Sequence, residues 1–377
     1  MRPLANPELL RRLSRTIPPE RIITDPLRTL AYGTDASFYR LIPKVVVKVE
    51  SEEEVCAVLS HARAFRSPVT FRAAGTSLSG QSVTDSVLVL LGRNWRKAHV
   101  SPGAEFVTLQ PGIIGSHANA ILAPYGKKIG PDPASINAAM IGGIAANNAS
   151  GMCCGTAQNS YRTLAGARLV LADGATIDTR EEESKRRFLT ERQDLARGLI
   201  DLRRRIISNP VLADKIRRKY RMKNTTGYSL NALVDFEDPI DILQHLMIGS
   251  EGTLGFLSAI TYRTVPELPH KATALLIFPD IASACAAAAV LRGCPVDAVE
   301  LMDRPSLRSV EEKPGMPQYL ASLPGGAAAL LVEVRSDSPG ELERRQEEVI
   351  AALAPFPRVV PASFSTDAEE CARLWNI

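Results

Sequence analysis

Between Ser135 and Gly155 the chain is mostly glycine, alanine, serine and asparagine, with Gly142 and Gly143 adjacent at the centre of the stretch. Small residues let a backbone approach a ligand closely, and glycine permits turns that other residues resist. A chain that lays bare its N–H groups in this way can cradle a pyrophosphate without any lysine. The same composition also suits a small-residue helix packed tightly on a sheet. Two further stretches point to the ligand. The loop Arg72–Ser82 follows the apolar run Val69–Phe71, and Gly249-Ser250-Glu251-Gly252-Thr253-Leu254-Gly255 is a third segment of the same character. Three such loops on a strand-rich background suggest one long, phosphate-bearing ligand held mainly by main chain.

Elements must position these loops. Valines 45, 46, 47 and 49 predict a strand over 43–50. Ser51 with Glu54 has the form of a capping box, and Val55, Val58, Leu59, Ala62 and Phe65 recur at helical spacing after it. A strand over 68–72 runs into the first loop, which gives a βαβ opening. Neither Gly-x-Gly-x-x-Gly nor a P-loop is present. Strands are expected at 86–91 and 106–110, and Ser116 is expected to cap a helix with Ile121 and Leu122 on its inner face. Asp173-Gly174 between 167–171 and 176–179 reads as a hairpin. Residues 182–221 form a charged helical insertion, and Asp238-Pro239 opens the helix leading to Gly249. A strand over 256–264 ends at a proline-rich boundary, Pro266 to Pro269. Beyond it, strands at 272–278, 296–302, 328–334 and 358–364 and helices at 281–292 and 341–353 give the pattern of a ferredoxin-like sheet.

Composition narrows the function. The 377 residues suffice for two domains. Aromatic residues make up 5% of the chain, which disfavours a stacking platform for nucleic acid. The net charge of +4 demands no polyanionic partner, and the basic runs at 185–192 and 203–221 suit the solvated faces of long helices as well as RNA or acidic lipid. Six cysteines include no Cys-x-x-Cys pair, and the adjacent Cys153 and Cys154 suit small buried side chains rather than a strained disulfide. No two of the five histidines stand at metal-ligand spacing, so no metal is expected. With no signal-peptide core and no apolar run long enough to span a bilayer, the expected location is the cytoplasm, with peripheral membrane contact allowed.

The order and spacing of Tyr32-Gly33-Thr34-Asp35-Ala36-Ser37, the 71–82 loop, the 129–164 stretch, Lys223-Asn224-Thr225-Thr226-Gly227-Tyr228 and the Gly249 loop resemble a known family. They are similar to the FAD-binding domain of the vanillyl-alcohol-oxidase type (PCMH). Within it, the match is to the D-lactate and D-2-hydroxyglutarate dehydrogenases, the FAD-linked oxidases. The resemblance implies an α+β chain: a leader at 1–30, a PCMH-type FAD-binding domain at 31–266, and part of a ferredoxin-like substrate cap at 267–377. In the family such a cap covers the flavin ring. It further implies that Arg72, Ala73, Ala74, Gly75, Thr76 and Ser77 wrap the pyrophosphate. Asp132 and Ser135 would sit near the flavin, with Gly142, Gly143, Asn148 and Gly151 below it and Glu251 and Gly252 towards adenine. Leu78, Gln81, Ser82, Pro131, Ile141, Asn147 and Ser150 complete the cofactor set.

Thr76 fills the place where some relatives carry a flavin-linked histidine, so non-covalent FAD is implied. Asn224 and Tyr228 are candidates for the substrate side, and Arg335 reads as a surface residue. The family's substrate arginine and histidine cluster would lie beyond Ile377, so the resemblance implies a longer protein. An iron–sulfur cluster would also belong only to that further region. The implied reaction is oxidation of a D-2-hydroxy acid, with electrons passing to an acceptor protein or a quinone rather than to a nicotinamide. Homo-oligomers are compatible with this. The alternative is a non-catalytic FAD-binding subunit of a glycolate-oxidase-like complex.

Overall fold

The computed structural model describes residues 6–377, so the first five residues of the expected leader lie outside the described residues. The chain divides into two compact units, the first ending at Pro266 and the second beginning at Glu267.

In the first unit, β1 (Ile22–Ile23), β2 (Val45–Val49), β3 (Val69–Arg72) and β4 (Val87–Leu91) form a sheet ordered β1-β2-β4-β3. The β2–β4 and β3–β4 pairs are parallel, and β1 is an antiparallel edge. Parallel strands covered on both faces read as unbroken apolar runs, and Val45, Val46, Val47 and Val49 are all fully buried. The helix Glu52–Ala64 packs Val55, Val58, Leu59 and Ala62 into this core. Its Ser51 cap accepts from the Glu54 amide, but the Glu54 carboxylate returns to the Glu50 amide and pairs with Arg21, so the box closes one residue early.

The second sheet holds β5 (Ala98–Val100), β6 (Phe106–Leu109), β7 (Lys127–Ile129), β8 (Leu164–Leu171), β9 (Thr176–Asp178) and β10 (Gly255–Pro266). Its order is β5-β6-β10-β8-β9, with β7 paired to the far end of β10, and every pairing is antiparallel. The β8–β9 turn passes through Gly174 at φ +86°, as the Asp173-Gly174 pair predicts. A bulge in β10 between Leu257 and Ala259 re-aims Ser258, whose hydroxyl donates to Glu52. Glu52 also receives Arg168 of β8, which ties the helix Glu52–Ala64 to the second sheet.

The helix Gly115–Leu122 departs from expectation. Ser116 is not its cap, because the amides of Gly115 and Ser116 donate to the carbonyls of Ala139 and Ile136. A neighbouring loop satisfies what a capping side chain would otherwise bind. Leu122 is buried as expected, whereas Ile121 is exposed.

Behind the second sheet, His245 is buried on the helix Pro239–Met247. It stacks on Phe236 at 3.9 Å and meets Tyr161 edge-on at 4.9 Å. Burial lowers its pKa from 6.5 to about 4. The folded state therefore binds fewer protons than the unfolded state between these values, and stability is lost as pH falls through the window. At roughly 1.4 kcal/mol per unit the loss approaches about 3 kcal/mol. Thermal melts should show a fall in midpoint from neutral pH to about 4 that is largely absent in H245N. An unchanged acid slope in that variant would assign the loss to carboxylates instead.

In the second unit, β11 (His270–Phe278), β12 (Ala298–Met302) and β13 (Ala328–Ser336) form a sheet ordered β11-β13-β12, with both pairings antiparallel. Thus β11, the helix Ile281–Leu291 and β12 make a split βαβ unit with β13 between its strands. Ala272, Ala274, Leu276 and Phe278 face the helices Ile281–Leu291 and Pro339–Ala352, while Leu275 and Ile277 face Leu307, Leu320 and Leu374.

The strand expected over 358–364 does not form. Residues 358–365 run beside β11 but are pinned only at their ends, by Val359 N–H to Ile277 O and by a mutual pair between Ser365 and Thr273. Six steps from 359 to 365 face four from 273 to 277, and Pro361 has no N–H to offer. Arg335 is not a surface residue either. Its guanidinium, 14% exposed, holds the buried Glu333 at 2.5 Å. Among the described residues no helix is long and apolar enough to cross a membrane.

Candidate functional site

The first unit contains a cavity of about 880 Å³. Its floor is the start of β10, Gly255–Leu257, and its walls are the loop after β3, the segment 133–150, residues 223–227, and Ser250–Gly252.

The loop after β3 is shaped by Arg72. This side chain is buried, and its guanidinium donates to three carbonyls: Ser82 at 2.6 and 2.8 Å, Tyr32 at 3.0 Å and Thr34 at 3.1 Å. Burial lowers its pKa, with nearby Asp35 opposing. Burial also works to raise the Asp35 carboxyl, but hydrogen bonds from Ser37 and Ser82 outweigh it and hold the group below its usual range. Gly75 adopts φ +73° over the aliphatic stem of Arg72, and its carbonyl accepts from the Ala36 amide. Ser77 hydrogen-bonds Gln81. Arg72 through Leu78, Gln81 and Ser82 all line the cavity.

The second wall is the short helix Ile141–Asn147. Gly142 lies so close to Pro111 that a Cβ there would sit 2.7 Å from the proline Cβ, whereas at Gly143 the nearest atom would be Ala73 Cβ at 3.7 Å. The Gly-Gly pair thus serves two ends, one glycine packing against protein and the other facing the cavity. Gly142, Gly143, Asn147, Ser135 and Ser150 line the space, but Ile141 points into the core.

Four expected residues stand behind this wall rather than in it. Asn148 ends the helix at φ +53° and accepts from the Tyr161 amide. Pro131 is buried, and Asp132 accepts from the Cys154 amide. Gly151 is pressed against Asp132, where a Cβ would lie 1.7 Å from the carbonyl oxygen. Cys154 is buried, and burial beside Asp132 pushes its thiol up to about 11.

At the third wall Glu251 adopts φ +54° and Gly252 φ +75°. The Glu251 amide donates to Ala146 O, and its carboxylate accepts from Asn147 at 2.6 Å. Burial raises the Glu251 pKa against that hydrogen bond. The folded state then binds more protons than the unfolded state above the ordinary carboxyl value, so stability falls as pH rises through the window. E251Q keeps the acceptor for Asn147 and removes the buried charge. It should melt at or above the parent at neutral pH and show less change across the mildly acidic range, and a clear loss at neutral pH would contradict this.

The segment 223–227 reaches the cavity through different residues than expected. Lys223, Thr225, Thr226 and Gly227 line it. Asn224 instead bonds the Thr226 carbonyl, and Tyr228 meets Thr253 at 2.8 Å. Sequence reasoning missed Lys223, whose ammonium donates to Gly151 O at 3.2 Å, and Phe256, which closes the floor against Phe71 and Trp95. The position of Lys223 beside the quoted Asn-Thr-Thr-Gly run was the available signal.

The cavity lies in the upper part of the range of about 300–1,000 Å³ usual for cofactor sites. It offers main-chain groups, two cations at Arg72 and Lys223, one raised carboxyl, and an apolar floor. These suit an extended ligand with an anionic middle and a flat apolar part.

Comparison with known proteins gives two family matches: an FAD binding domain over residues 43–180, and the C-terminal domain of FAD linked oxidases over 267–377. Among curated proteins, the D-2-hydroxyglutarate dehydrogenase of Pantoea ananatis is 25% identical over 336 residues, 86% of this chain and 33% of that protein. The glycolate oxidase subunit GlcD of Escherichia coli is 26% identical over 376 residues, covering 97% of this chain and 63% of that one. The mitochondrial D-lactate dehydrogenase (cytochrome) of Arabidopsis thaliana is 26% identical, with 98% and 56% covered. The chain therefore spans from one third to under two thirds of the length of these relatives. A solved alkyldihydroxyacetonephosphate synthase has the same fold, with a TM-score of 0.70 at 16% identity, over 100% of this chain and 66% of that one.

Proposed function

Because the chain belongs to the FAD-linked oxidases, carrying their FAD binding domain and their C-terminal domain, we propose that it holds FAD non-covalently in the 880 Å³ cavity and serves the oxidation of a D-2-hydroxy acid. The observation carrying this reading is the convergence of three small-residue loops on one cavity of cofactor size. FAD, when bound, supplies the hydride acceptor.

The chain's own residues would do the rest. The main chain of Ala73–Ser77 and the open side of Gly143 allow close approach to a pyrophosphate, with Arg72 fixing the loop and Lys223 adding positive charge. Phe256 and Leu257 exclude water below. Asn147 and Glu251, hydrogen-bonded to each other at 2.6 Å, give that wall a polar end. Non-covalent binding is supported by the lining itself: among the described residues lining the cavity none is histidine, cysteine or tyrosine, the side chains suited to a flavin bond. The substrate class rests on the names of the relatives, which act on 2-hydroxyglutarate, glycolate and lactate. An acceptor protein or quinone would take the electrons.

A second reading, a flavin-binding subunit that does not itself turn over substrate, is favoured by one observation. The titratable groups lining the cavity, Arg72, Lys223 and Glu251, are each engaged in holding a wall.

The visible spectrum of the purified chain tests both. Flavin bands that pass into the supernatant on heat denaturation support the cofactor reading, and bands retained by the pellet contradict non-covalent binding. Bleaching of those bands by D-lactate, D-2-hydroxyglutarate or glycolate under anaerobic conditions supports the enzyme. Flavin that none of them reduces supports the subunit.

A further inference from the structure

The helical insertion carries charge out of proportion to its length. From Arg203 to Met222 there are eight lysines and arginines and one aspartate, a net +7. The whole chain is +4, so the remainder is −3. Three of the eight have acidic partners: Arg203 with Glu237, Arg204 with Asp201, and Arg217 with Asp214. Among the described residues, the side chains of Arg205, Lys215, Arg218, Lys219 and Arg221 have none.

The helix Pro210–Lys219 is anchored by Ala213 and Ile216, both buried. Its opposite face presents Val211, Lys215 and Arg218, at i, i+4 and i+7, and Met222 continues the same stripe past the helix end. Val211 is 77% exposed and Met222 67%. Unpaired cations between exposed apolar side chains are the arrangement that lies flat on a lipid interface, where the apolar tips enter and the long basic side chains stay with the headgroups. Only one aromatic residue, Tyr220, falls within the segment, and its hydroxyl is engaged by Tyr228 O, so there is no stacking platform for bases.

We propose that residues 203–222 dock this protein on an anionic lipid surface through the Val211–Lys215–Arg218–Met222 stripe. The proposal is independent of the flavin reading. It has one geometric consequence for it, since Lys223 and Thr225–Gly227, which follow directly, wall the cavity.

The full chain is mixed with vesicles of phosphatidylcholine alone or with phosphatidylglycerol, and binding is read by sedimentation. Fold is checked by circular dichroism and thermal melting, and flavin content is read separately. Binding to phosphatidylglycerol vesicles only is expected. At roughly fivefold per cation near the surface, the pair Lys215→Glu and Arg218→Glu should weaken it by roughly thirtyfold. Val211→Ser with Met222→Ser should weaken it by roughly tenfold. Failure of the parent chain to bind anionic vesicles overturns the proposal. So does indifference to the serine pair, which would mean capture of any polyanion, or tighter binding to single-stranded RNA than to vesicles at equal salt.

Discussion

Arg72→Met should leave a chain that retains no flavin and is less stable by about 3–5 kcal/mol. Methionine approximates the aliphatic stem, so the packing beneath Gly75 largely survives. The guanidinium does not, and with it go the donors to Ser82, Tyr32 and Thr34. Three carbonyls at a buried site then lose their partner at about 1–3 kcal/mol each, partly recovered by water. Asp35 also loses the nearby positive charge with which it interacts. Because these bonds join the end of β3 to the 32–34 segment and to the far end of the loop, the loop opens as a unit. Arg72→Lys should recover part of the stability but less of the flavin, since an ammonium cannot span three acceptors from one planar fork. Melting temperature and the ratio of flavin to protein absorbance measure the two effects. Normal flavin content in R72M would refute the assignment of this loop to the cofactor.

The second large effect is expected at Gly151. An alanine there would place Cβ 1.7 Å from the Asp132 carbonyl oxygen and 2.1 Å from its carboxylate. The nearer atom is backbone, so no rotamer change relieves it, and one of the two segments must move. Forced movement of this kind costs about 1–3 kcal/mol. It also displaces Ser150 and the carbonyl that receives Lys223. Flavin affinity should fall by roughly tenfold or more, while the second unit, which has its own core, keeps its structure. Gly143→Ala is the contrast, because its Cβ would meet only Ala73 at 3.7 Å in the folded chain. Folding should be unimpaired there, and any loss of flavin would come from crowding of the ligand. Equal melting points for G151A and the parent would contradict this account.

These two glycines show what the sequence could and could not reveal. Composition marks where the backbone must come close to something, as at 72–82, 135–155 and 249–255, whereas the wall at 223–227 entered only through the family resemblance. Composition does not say whether the close neighbour is a ligand or the protein. Gly143 faces the cavity, Gly142 faces Pro111, and Gly151 faces Asp132. Asn148 takes a left-handed cap and accepts from the Tyr161 amide, and these fix the end of a helix. Lys223 stands at the head of the 223–228 segment that the family resemblance singles out, but as one lysine in a basic region it carries no mark of a ligand contact of its own.

The strands were legible where burial on two faces gives apolar runs, as in β2 and β4, and where a turn names itself, as at Gly174. The expectation failed at Ser116, where a loop distant in sequence does the capping, and at 358–364, where valines favour a strand but Pro361 and two extra residues break the ladder. Both failures come from partners that local propensity cannot register.

The floor and the walls of the cavity differ in kind. Gly255–Leu257 begin a strand of twelve residues that is hydrogen-bonded to three others, whereas 73–82 and 223–227 have no ladder at all. Amides of β10 should exchange with solvent only on global unfolding, and those of the loops by local opening. Residence time of a bound molecule is then governed by the loops. Substitutions that weaken the β10 core should lower the melting temperature yet leave the dissociation rate nearly unchanged, while substitutions of exposed loop residues other than the buried anchor Arg72 should shorten residence at almost constant melting temperature.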